Sequence, residues 1–151
     1  MPCAWALGMK AKNLDDVLVY RKTSAAADEI SAILKRAAFG RDLQLRDQLS
    51  RSAGRIGPLI AEGFGQSTDR QMADYYARAR GSALESRAHL ANALVQKFIS
   101  DEECRVLSGR FTEISKMLTP WINYLQRSNW KSRGVRPDTL PGSPSEPPRA
   151  E

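Results

Sequence analysis

The stretch Asp42–Phe64, DLQLRDQLSRSAGRIGPLIAEGF, decides the fold. Leu45, Leu49, Ser52, Ala53, Ile56, Leu59, Ile60 and Gly63 recur at spacings of three and four. That period lays one side of an α-helix along a core. Charged residues such as Asp47, Arg51, Arg55 and Glu62 fall between them. Pro58 lies inside the pattern, where it removes one backbone hydrogen bond and crowds the preceding turn. A full break there would split a continuous seam, so the reading is one helix, kinked near Gly54 to Gly57.

Working outward, the same period predicts three more helices. Upstream, Val19, Thr23, Ala26, Ile30, Ile33, Leu34 and Ala37 mark a helix over about 14–38, with Asn13 as N-cap and Gly40 as stop signal. Downstream, Thr68 and Gln71 have capping-box spacing for a third helix over about 69–98. It carries two apolar stripes. One is Met72, Tyr76, Ala79, Ala83, Leu90 and Leu94; the other is Ala73, Ala77, Leu84, Ala88, Ala91 and Val95. Two stripes imply two neighbours, and the alanines permit close approach. Ser100 and Glu103 open a fourth helix whose stripe runs from Leu107 through Phe111, Ile114, Leu118, Trp121 and Ile122 to Leu125, with Pro120 bending its final turns. Short connections favour antiparallel neighbours. The expected fold class is all-α, an antiparallel up-down-up-down four-helix bundle.

The chain has 151 residues, so it holds one ordinary domain. Pro137, Pro141, Pro144, Pro147 and Pro148 crowd the C-terminus and exclude a helix there. The expected organisation is a flexible leader over 1–12, the bundle over 13–130 and a disordered Pro-rich tail over 131–151. No apolar run reaches the roughly 20 residues of a membrane span, and the N-terminus lacks the basic flank of a signal peptide. The expectation is a soluble, cytoplasmic protein with free thiols.

Few residues offer chemistry. One His and the two distant cysteines Cys3 and Cys104 cannot build a Cys/His zinc site. Di-iron bundles need paired Glu-x-x-His motifs, whereas His89 follows Glu85 by four and has no counterpart. No P-loop, dinucleotide fingerprint or Gly-x-Ser-x-Gly elbow is present. No metal, cofactor or small-molecule substrate is therefore expected. An enzymatic alternative would place Glu62, Glu85 and His89 at a subunit seam. Basic charge carries more weight. The net charge is +6, and Arg outnumbers Lys 16 to 7. Five basic against three acidic residues from Arg127 onward leave the body mildly basic. Arg51, Arg55, Arg78, Arg80 and Arg87 are the candidate nucleic-acid contacts. The apolar surplus of the first and third helices points to self-association.

Ile56-Gly57-Pro58-Leu59-Ile60-Ala61-Glu62-Gly63-Phe64-Gly65 resembles the Ile-Ala-Glu-Gly-x-Gly segment of a bacterial four-helix-bundle family. Gly81-Ser82-Ala83-Leu84-Glu85, followed by Leu90, resembles the Gly-Ser-x-x-Glu signature of the same family. That family includes proteins encoded within intervening sequences of large-subunit ribosomal RNA genes, and accessory variability determinants of diversity-generating retroelements. The proline is displaced by one position here, and Leu59 stands where the family often has Asn. The resemblance implies structural roles for Ile60, Ala61, Glu62, Gly63, Gly65, Gly81, Ser82 and Glu85. It also implies a bundle assembling into a ring, typically a homopentamer, and binding RNA or a ribonucleoprotein without catalysis. The alternative it leaves is a structural oligomer or protein-interaction module with no nucleic-acid role.

Overall fold

The computed structural model describes residues 14–127. The expected leader, the Asn13 cap and the Pro-rich tail lie outside the described residues. Four helices follow in order: α1 (Leu18–Leu34), α2 (Leu43–Phe64), α3 (Asp69–Val95) and α4 (Asp101–Arg127). No strand occurs among the described residues. Each helix packs on its chain neighbours, and α1 closes the circuit against α4. Cross-helix pairs set the directions. Ser86 meets Ser52, while the earlier Ser82 meets the later Arg55, so α2 and α3 are antiparallel. Lys22 meets Glu113 and Arg36, just past α1, meets Glu103, so α1 and α4 are antiparallel too. The result is the all-α, up-down-up-down bundle, with α1 and α3 on one diagonal.

The α2 seam is buried along its whole length, from Leu45 to Gly63. The helix continues through Pro58. The carbonyl left without its donor belongs to Gly54, which is exposed, so water can take the missing bond. Gly57 is buried, and a Cβ there would touch Tyr20 and Thr23 of α1 at 3.7 and 3.8 Å.

The first helix is shorter than its apolar spacing suggests. A 3-10 turn, Leu14–Asp16, precedes it, and Val17 occupies the N-cap position without a side-chain cap bond. The chain leaves α1 at Leu34, turns extended at Arg36 and forms a second 3-10 turn, Ala37–Arg41. Gly40 thus lies inside this turn and does not stop the helix. The turn sinks Phe39 completely, against Phe98 at a ring-centroid distance of 5.3 Å.

The third helix also ends early, at Val95. The amide of Phe98 donates to the carbonyl of Ala93 and that of Lys97 to Leu94, which is a Schellman closure. Lys97 takes the left-handed position, with φ of 62°, that glycine usually fills. The capping box of α4 forms in both directions, with Glu103 amide to Ser100 hydroxyl at 3.2 Å and Ser100 amide to Glu103 carboxylate at 2.9 Å. At α3 the Gln71 amide donates to Thr68 at 3.2 Å. Ile30, Leu49, Ile56, Met72, Leu90, Phe111 and Leu118 fill the centre and are less than 2% exposed.

Candidate nucleic-acid interface

The two signature segments meet at the α2–α3 seam. Ser86 donates to the carbonyl of Ser82 and lies 2.9 Å from the Ser52 hydroxyl, both serines being buried. Arg55 reaches from α2 to α3 with two bonds, Nε to the Ser82 hydroxyl at 3.1 Å and Nη2 to the Glu85 carboxylate at 2.7 Å. The other Glu85 oxygen lies 3.5 Å from His89 Nε2. Ser82 and Glu85 thus act together as the acceptor for one guanidinium. The helix period places them one turn apart on the side facing α2.

Gly63 has a steric reason. A Cβ there would stand 2.9 Å from the Tyr75 Cβ and from two ring carbons of Tyr76. The end of α2 and the start of α3 therefore touch through a missing side chain. Ile60 is fully buried beside it, Ala61 is half-buried, and Glu62 is exposed. Gly65 is the C-cap of α2 with an ordinary right-handed φ of −80°. A Cβ on Gly81 would meet nothing within 4 Å.

The five candidate arginines do not converge on one patch. Arg51 pairs with Asp47 at 3.0 Å on the outer face of α2, and Arg55 is spent on Glu85. Arg78 lies over the Tyr75 ring at 5.2 Å. Arg80 crosses toward α4 and donates to Thr119 at 3.2 Å. Arg87 is exposed and has no carboxylate within ion-pair reach among the described residues. Lys116 on α4, which is not among the five candidates, is likewise exposed and has no carboxylate within ion-pair reach among the described residues. A lone Lys without neighbouring bases gives no signal in one dimension.

The third helix also presents an outer apolar stripe. Leu84 is 49% and Val95 79% exposed; Gly81, Ala88 and Ala91 are exposed and Ala77 half-buried. Of the second stripe expected from the sequence, only Ala73 is buried within this chain. Among the described residues no group of three or more His, Cys, Asp or Glu side chains is placed to hold a metal ion. No described helix is long and apolar enough to cross a membrane.

A crystal structure of a protein of unknown function from the S23 ribosomal protein family of Bacteroides thetaiotaomicron shares this fold. The TM-score is 0.64 at 22% identity, covering 70% of this chain and 98% of that one. No curated protein matches the chain. The family model described as 23S rRNA-intervening sequence protein matches residues 15–120, nearly all of the described bundle. The chain belongs to the 23S rRNA-intervening sequence protein family.

Proposed function

We propose that this protein is a non-catalytic, self-associating bundle that binds RNA or a ribonucleoprotein in the cytoplasm. The observation that carries the reading is the surface of α3. An exposed apolar stripe, Leu84 to Val95, runs beside the arginines Arg80 and Arg87, which have no carboxylate partner among the described residues. Apolar stripes of this kind suit a second copy of the chain, and unpaired arginines suit phosphate. Gly81 supports the first half. It weakens an exposed helix without serving any contact inside the chain, and it leaves room for another backbone to approach. Self-association multiplies the modest charge of one body, which gives a ring, homopentameric as the family resemblance implies, a stronger field than a monomer.

Two measurements test this. Light scattering on the full chain should give a multiple of the 16.8 kDa protomer mass, and Leu84→Asp should reduce it. Binding to RNA should weaken steeply between about 50 and 200 mM salt, because phosphate contacts release counterions. Absence of RNA binding at low salt, with self-association intact, favours the second reading, a purely structural oligomer. The exposed Leu84–Val95 stripe alone is enough to support that alternative.

A further inference from the structure

We infer that the outer groove between α3 and α4 is the RNA path, with Arg80 and Arg87 on one wall and Lys116 on the other holding the phosphates. The inference rests on the RNA-binding function proposed above and names its surface.

The distribution of ion pairs points to this groove. The seam between α1 and α4 is neutralised by Lys22–Glu113, Arg110–Glu29 and Arg36–Glu103. The α2–α3 seam is neutralised by Arg55–Glu85. Among the described residues no ion pair joins α3 to α4 and none joins α1 to α2, but of these two seams it is α3–α4 that holds a guanidinium, Arg80, on a neutral hydroxyl across it. Its cross-helix bonds include those of Arg80 to the Thr119 hydroxyl and of Cys104 Sγ to the Leu90 carbonyl at 3.8 Å. The nearby acids are engaged elsewhere: Glu113 by Lys22, Glu85 by Arg55 and Glu102 by Arg105. Asp74 lies toward the start of α3, and Asp101 at the first turn of α4. A groove whose bases have no internal counter-charge is complementary to an anionic chain.

The register fixes the spacing of the charges. Thr119 opposite Arg80 and Cys104 opposite Leu90 align the two helices antiparallel, so Arg87 stands across from the Ser108–Thr112 turn. Arg80 and Arg87 are two turns apart, about 10.5 Å along the axis and about 20° apart around it. Lys116 lies between Thr112 and Thr119 along the axis of α4, about 40–60° further round toward solvent, at the outer rim of the opposite wall. Three cations therefore line a path, as a phosphate backbone requires.

The opposite wall is built to stay open. Ser108, Thr112, Ser115 and Thr119 are small and half-buried. Thr112 and Thr119 donate their hydroxyl protons to the carbonyls of Ser108 and Ser115, each at 2.9 Å. The Thr119 oxygen is thereby left to accept from Arg80. This bond holds the guanidinium at the groove and leaves its remaining N–H donors for an anion. The Ser115 hydroxyl is buried without a partner. On α3, Ala91 and Leu84 lie about 20–40° round the helix from Arg80, and Ala77, Val95, Ala88 and Gly81 about 60–100°, all on the side away from Arg87. The arginines thus form the edge of the apolar stripe that is nearest α4.

The test compares two double variants of the full chain that change net charge equally. Arg87→Glu with Lys116→Glu strikes the groove. Arg21→Glu with Lys35→Glu strikes exposed bases of α1 and the residue just after it that have no ion pair among the described residues, across the bundle's diagonal. Anisotropy with a labelled single-stranded RNA should show the groove double binding at least about tenfold more weakly. Its salt slope should be shallower by about 1.4, the loss of two phosphate contacts. The α1 double should stay within about twofold of wild type. Equal weakening by both doubles, or no weakening by the groove double, overturns the groove while leaving RNA binding by the wild type in place. Polyglutamate binding as tight as RNA overturns it in favour of an acidic polypeptide. A groove double of lower mass in light scattering overturns it by assigning the loss to assembly. Failure of wild type to bind RNA at all removes the functional reading and the groove together.

Discussion

At Gly63 a single absent atom sets the distance between two helices. Filling it meets three carbon atoms at 2.9 Å, two of them in a buried tyrosine ring. Gly63→Ala gains helix propensity yet forces the α2–α3 contact apart, and overpacking of this kind costs about 1–3 kcal/mol. Thermal unfolding should show it, while the same change at Gly81, with open space around its Cβ, should be neutral or stabilising in the isolated protomer. Lys97 presents the converse. It holds a left-handed φ with a Cβ that disfavours it, so Lys97→Gly should stabilise by about 1 kcal/mol, read as a raised urea midpoint with unchanged slope. This position also explains why the end of α3 was hard to read. A glycine at residue 97 would have announced the closure, and a lysine instead prolongs the helical pattern through Phe98.

At the scale of elements, one carboxylate joins a helix cap to a helix seam. Glu103 accepts from the Ser100 amide and from the Arg36 guanidinium, with Nη1 at 3.1 Å. The Arg36 hydrogen bonds, then the backbone bond, hold its pKa at about 2, below the ordinary 4.5. A carboxylate lowered in the folded state contributes stability above its unfolded pKa and loses it as pH falls through the folded one. The Glu103 contribution is thus complete above about pH 4.5 and gone near pH 2. Glu103→Gln should cost about 1 kcal/mol at neutral pH, after allowance for a side chain one-third open to water. Wild type and variant should converge in chemical denaturation near pH 2. The Ser100–Glu103 box itself was legible, because its spacing is local. The Arg36 partnership joins residues 67 apart, so no spacing could reveal it. The same holds for Arg55, which looks like a free surface base in sequence and is claimed by Ser82 and Glu85 from another helix.

On the scale of the whole molecule, helix number, order and the α2 seam followed from periodicity, because burial on one side leaves its mark every three or four residues. What periodicity cannot separate is an apolar stripe buried within the chain from one exposed on it. Ala73 lies under a neighbouring helix while Leu84 and Val95 face outward, although all belong to the same stripe. Three-dimensional closure by α4 decides which is which.

The unequal lengths of the helices carry a last consequence. With 17 residues, α1 extends about 25 Å, against about 40 Å for the 27-residue α3 and α4. It begins without a side-chain cap, and between two 3-10 turns it has less regular backbone to protect than any other helix. Native-state amide exchange should therefore show α1 opening at lower free energy than α3 and α4, as a separate cooperative unit. Uniform protection across all four helices would refute this. A first helix that detaches on its own turns the bundle into a three-helix platform with a removable cover, and uncovers the inner sides of α2 and α4 without unfolding the rest.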